Sequence, residues 1–99
     1  MTNRPFSPQY GTNQVISATT NSGSVTIKGI AKSVRVANAG LKTGYVRIGS
    51  GSQTATTADC PVLAGTSVVL YKGELDVTLA HIADNGGTTL HVMTGDNGI

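Results

Sequence analysis

Apolar and polar residues alternate with a period of two through much of this chain. In Ser33-Val34-Arg35-Val36-Ala37 the valines fall on one side and Arg35 on the other; in Tyr45-Val46-Arg47-Ile48, Val46 and Ile48 face one way and Tyr45 and Arg47 the other. Successive side chains of a strand point to opposite faces, so this is the pattern of antiparallel sheet with one solvated face. No helical 3.6-residue period survives over eleven residues. Turn residues recur at the spacing expected of a sandwich or barrel: Asn21-Ser22-Gly23, Asn38-Ala39-Gly40, Gly49-Ser50-Gly51-Ser52, Gly65, Gly73 and Asp84-Asn85-Gly86-Gly87. The spacing predicts strands over 13–19, 24–30, 32–38, 43–49, 66–72, 76–83 and 88–94, with a short one near 53–57. The fold class that follows is all-β: an antiparallel two-sheet sandwich, jelly-roll-like, with seven or eight strands. Val34, Val36, Val46, Ile48, Leu70, Val77, Leu79, Leu90 and Val92 are its expected core, with Arg35 and Arg47 outward. Pro5 and Pro8 remove backbone donors and bias their predecessors to extended conformations. Residues 1–12 therefore read as an extended N-terminal arm and 13–99 as one β-sandwich domain.

Two stretches carry more than a strand assignment. Val68-Val69-Leu70-Tyr71 breaks the alternation, so that strand is expected to be buried on both faces or covered by a partner. Asn85-Gly86 is the pair favoured in a type I′ hairpin turn. Placed there, it pairs Asp84 with Gly87, Leu79 with Val92 and His81 with Leu90, and puts Val77, Leu79, Leu90 and Val92 on one face. A slip of one residue would mix apolar and polar positions on both faces. In the favoured register His81 and His91 lie on opposite faces, a rim and a surface histidine unable to share a metal.

Composition supports the strand reading: fourteen Thr, ten Val and six Ile supply β-branched residues, and thirteen Gly supply turns. Charge is sparse, with seven Lys/Arg, five Asp/Glu and a net +2. The seven cations (Arg4, Lys28, Lys32, Arg35, Lys42, Arg47 and Lys72) are scattered, and there are four aromatics and no Trp, a poor basis for nucleic-acid binding. No apolar run is longer than the four residues Val68 to Tyr71, too short for a membrane-spanning helix. A single cysteine, Cys60, allows no intrachain disulfide and reads as a small apolar residue.

Catalytic chemistry finds no footing. Ser50 and Ser52 lie in a Gly-Ser-Gly-Ser connection without the strand-to-helix turn of a nucleophile elbow. Glu74 and Asp76 read as turn carboxylates. Asp84-Asn85 and Asp96-Asn97-Gly98 lack the spacing of a calcium loop. No catalytic, cofactor-binding or metal-binding residue is assigned, no cofactor is expected, and the chain reads as a non-enzyme.

From residue 32 onward the order of motifs is distinctive: SVRVANAG, then GYVRIGSGSQTATTADCPVLAGTSVVLYKG, then AHIADNGGTTLHVMTGDNG. The run resembles small β-sandwich virion proteins of tailed bacteriophages, of the capsid decoration or cement type. The matching positions are Val34-Arg35-Val36-x-Asn38-x-Gly40, Tyr45-Val46-Arg47-Ile48-Gly49, Ala55-Thr56, Asp59-x-Pro61-Val62-x-Ala64-Gly65 and Leu90-His91-Val92-x-Thr94-x-Asp96. The chain departs from the family where His91 replaces a frequent aromatic and Cys60 a larger apolar residue. The resemblance implies a structural protein on the capsid surface of a virion assembled in the host cytoplasm. Its partner would be the major capsid protein, engaged by a homo-oligomer, with neither nucleic acid nor membrane involved. A tail- or fibre-associated module binding carbohydrate or a receptor is the alternative. Expected partner-binding residues are Arg4, Pro5, Phe6 and Tyr10 in the arm, with Tyr45, Arg47 and Tyr71 on strands.

Overall fold

The computed structural model describes residues 5–97. It holds nine strands: β1 (Ser7–Pro8), β2 (Gln14–Ala18), β3 (Gly23–Thr26), β4 (Ser33–Asn38), β5 (Gly44–Gly49), β6 (Cys60–Val62), β7 (Ser67–Tyr71), β8 (Thr78–Ala83) and β9 (Thr88–Asp96). No described residue is helical. The strands form two antiparallel sheets packed face to face. One is ordered β1-β9-β4-β7 with β2 also on β9; the other is ordered β3-β8-β5-β6. Ser7 and Pro8 pair with Asp96 and Gly95, and residues 14–18 pair with 92–88, so β1 and β2 together occupy one position along β9.

The topology is a folded ribbon. β5 pairs β6, β4 pairs β7, β3 pairs β8 and β2 pairs β9, each antiparallel. This is one long antiparallel ribbon with its tip at the β5–β6 connection. Rolling it over brings β5 against β8 and β4 against β9. That double wrap is a jelly roll.

Inward residues of both sheets form one core. Val34, Val36, Leu79, Leu90 and Val62 are 0% exposed, and Val46, Val92, Ile16 and Ala18 are nearly so. Ile48, Leu70, Val68, Val25 and Cys60 pack against them, partly buried. The expected core is therefore present with one exception. Val77 is 41% exposed, because the Val77 amide donates to Leu75 O at 3.1 Å in a tight turn that ends the alternation before β8 begins.

The final hairpin does not form. β8 and β9 belong to opposite sheets, so Leu79 does not pair with Val92 nor His81 with Leu90; their partners are Ile48 and Val25, and Val46 and Gly23. The turn itself exists, with Gly87 N donating to Asp84 O at 3.0 Å. The positive φ values fall on Gly86 and Gly87 rather than on Asn85, which is not the type I′ form. Asp84 N donates instead to Thr43 O, and the Gly87 backbone closes on Ala18 O, so the turn carries the chain across the sandwich. Leu79, Leu90 and Val92 still face the core, but from opposite walls.

The expected strand near 53–57 is also absent. The 50–59 connection lies over the outside of the four-stranded sheet: Arg47 Nη1 donates to Thr54 O at 3.3 Å and Ala55 N to Ser22 Oγ at 2.8 Å. Ala80, paired with Ser24 and Arg47 on that outer row, is fully buried, and Ala55 is 3% exposed.

At one end of the sandwich Asn38 uses its whole hydrogen-bonding capacity. Its Nδ2 donates to Lys42 O and Val62 O, both at 2.8 Å; its Oδ1 accepts from Gly40 N at 3.0 Å and Thr88 Oγ1 at 2.6 Å. One buried side chain thus ties the β4–β5 turn to β6 and β9. Gly40 is required there because a Cβ would stand 2.8 Å from Thr89 N.

Candidate functional site

The sequence-predicted contact residues divide between locations. Arg4 lies outside the described residues. Pro5 is exposed, while Phe6 is half-buried and packs over Gly95, next to Pro8 and Ser33 along the row. Residues 7–12 run along β9. Gln9 N donates to Thr94 O, Thr12 Oγ1 donates to Gln9 O at 2.6 Å, and Thr12 Oγ1 accepts from Thr94 N at 3.1 Å. Tyr10, on this path, is 86% exposed.

Tyr45 stands on the outer face of the four-stranded sheet and donates its hydroxyl to Asp84 Oδ1 at 3.3 Å. Partial desolvation, and after it the charge and hydrogen bond of Asp84, raise its phenol above the ordinary value. Arg47 Nε meets Asp59 Oδ1 at 3.4 Å, a pair open to solvent on the arginine side. Arg47 thereby holds the 50–59 connection as well as facing outward. Tyr71, at the end of β7, is 65% exposed. Arg47 and Tyr71 line a common hollow at the seam between β6 and β7, with Cys60, Asp59 and Leu70, whereas Tyr45 stands apart.

β7 is the edge of its sheet, paired on one side with β4 alone. Its Val68, Val69 and Leu70 are each half-buried, and Val68 and Leu70 face the core while Val69 and Tyr71 take the opposite face. The strand is therefore apolar on both faces, yet its outer face and one row of backbone groups are open. Among the described residues, nothing buries this strand fully on both faces.

The histidines are separated as expected, but by different means. His91 is half-buried on the outer row of the five-stranded sheet, opposite Val15 and Ala37. His81 is not a rim residue. It lies on the inward row beside Val46, 7% exposed, its ring over Gly23 and its Nδ1 without a partner among the described residues. Burial lowers its pKa below the ordinary 6.5.

The opposite end of the sandwich carries residues that sequence reasoning missed. The β3–β4 and β7–β8 connections enclose a hollow lined by Gly29, Ile30, Lys32, Lys72, Glu74 and Val77. Ile30 is 90% exposed and Leu75, on the same connection as Glu74, is 78% exposed. Lys72 is 3% exposed and continues the inward row of Val68 and Leu70. That parity was the available signal, hidden because a lysine after an apolar run reads as a solvated turn residue. Among the described residues, no group of three or more His, Cys, Asp or Glu is placed to hold a metal. Comparison with protein-family models, curated proteins and solved structures gives no match to this chain.

Proposed function

We propose that this protein is a structural subunit of a tailed-phage virion, decorating the capsid by binding major capsid protein through the open edge of β7. The observation that carries the reading is the β7 strand itself. A row of unpaired backbone groups beside apolar side chains is a template for another strand, and soluble monomers usually blunt such edges with charge, proline or a bulge. β7, of sequence Ser-Val-Val-Leu-Tyr, has none of these. Strand addition there would supply main-chain hydrogen bonds for affinity and side-chain contacts at Val69 and Tyr71 for specificity. The jelly-roll topology is consistent with this role, since the same architecture recurs in capsid and lectin domains, although fold alone assigns no function.

Many copies, each with a modest interface, would reinforce a shell by multivalency. Co-sedimentation with tailed-phage particles lacking this protein tests the reading. The wild type is expected to sediment with particles, and Val69→Lys to remain free while melting like the parent. Equal binding by both rejects the β7 edge, and failure of the wild type to bind rejects the capsid role.

A further inference from the structure

Lysine is rarely buried completely unless it is paired. Lys72 is 3% exposed, and its Nζ makes a single hydrogen bond, to Gly73 O at 3.4 Å. A lysine ammonium has three donors, and no carboxylate lies within 4.0 Å of Lys72 among the described residues, where Arg47–Asp59 is the one ion pair. The carboxylates of the same connection are otherwise placed: Asp76 Oδ2 accepts from Gly73 N at 3.2 Å, and Glu74 is exposed at the rim. The burial of this cation is left without an opposite charge, and a buried charge is costly unless paired.

Its setting says what would complete it. The hollow measures about 360 Å³ and adds a second cation, the exposed Lys32, to apolar Ile30 and Val77. That is room for a side chain and a carboxylate, near the lower end of ligand-site volumes. Two lysines against one glutamate in the lining favour an anion. We propose that this hollow, with Lys72 buried inside, Lys32 at its rim and Ile30 and Val77 along its walls, docks a partner-protein segment presenting a carboxylate beside an apolar side chain. The proposal rests on reading the chain as a partner-binding subunit, and it names a second contact at the far end of the roll from the Asn38 knot.

The test is an amide chemical-shift titration of the isotope-labelled full chain with N-acetyl-leucine, using N-acetyl-leucinamide and acetate as controls. N-acetyl-leucine is expected to shift the amides of residues 29–32 and 73–77 saturably. The uncharged amide should bind at least about tenfold more weakly, the usual worth of a charge-assisted hydrogen bond. Lys72→Met, which keeps the apolar stem, should abolish the shifts with a melting temperature no lower than the parent's, and Glu74→Gln should tighten binding. Should Lys72→Met fail to fold, the exposed pair Ile30→Ser and Lys32→Gln carries the test and should weaken binding. Equal affinity for acid and amide, no saturable shift, or full binding by the variants overturns the proposal. Self-association of the free protein that Lys72→Met abolishes would assign the hollow to a second copy and equally overturn it. Particle co-sedimentation separates the two readings. Probe binding without particle binding by the wild type sinks only the capsid role; particle binding undiminished in Lys72→Met sinks only this inference.

Discussion

At the residue scale, the polar side chains inside the roll are as informative as its valines. Asn38 is 3% exposed and has four partners on three segments, so no single smaller residue can replace it. Asn38→Ala should destabilise the protein by about 3 kcal/mol, because buried donors and acceptors are left unpaired. Urea unfolding measures this. Leu79, fully buried between Val25 and Ile48, should cost roughly 2–5 kcal/mol when cut to alanine, the usual range for such a cavity. His81 is the opposite case, a buried ring with an orphaned nitrogen. Its folded pKa lies below the ordinary 6.5, so the unfolded chain takes up a proton before the folded chain does. The stability this ring contributes is complete above pH 6.5 and is lost as pH falls through the folded value. Melting temperature should therefore decline on acidification below neutrality, and His81→Gln should flatten part of that decline.

At the scale of elements, the pattern of strand and turn residues was enough to locate β2, β4, β5, β7, β8 and β9, each within a few residues of its bounds. It located them because one face of each strand meets the core, and that demand is written in single residues. What alternation could not supply was the identity of the pairing partner. The β8–β9 register followed from the assumption that neighbours in sequence pair, whereas the rolled ribbon sends each of these strands to a different sheet. β6 was invisible for another reason: three residues, Cys60-Pro61-Val62, are too few to show a period. Of the candidate contacts, Tyr71 and the double-sided run before it were legible, because a broken alternation is itself a signal. The hollow around Lys72 was not, since it needs two connections far apart in sequence. The 50–59 connection is a further element that looked like a plain linker. Arg47→Ala should cost less than about 1 kcal/mol, as exposed ion pairs do, yet speed proteolytic cleavage within 50–59, because it releases both Asp59 and Thr54. Cleavage at the parent's rate would show that the connection is held by other contacts.

On the scale of the whole molecule, β9 is the strand with the most partners among the described residues. It pairs with β1, β2 and β4, and its Thr94 is held by Thr12, Gln9 and Lys28. Deleting residues 1–12 should lower the melting temperature, because Thr94 N loses its acceptor and the end of β9 loses its cover. A chain stopped after Gly87 should show no cooperative unfolding at all. The ribbon also orders events in time. While the protein is being synthesised, the inner pairs β5–β6 and β4–β7 can close early, but β2 has no sheet partner until β9 emerges. Ile16 and Ala18 must then remain without their sheet partners on the nascent chain until residues 88–96 have been made. Closure of the roll therefore waits on β9 and, because β2 pairs with a strand so distant in sequence, is slow. In that interval the half-made roll is open to chaperones, and to the apolar strands of a second nascent copy.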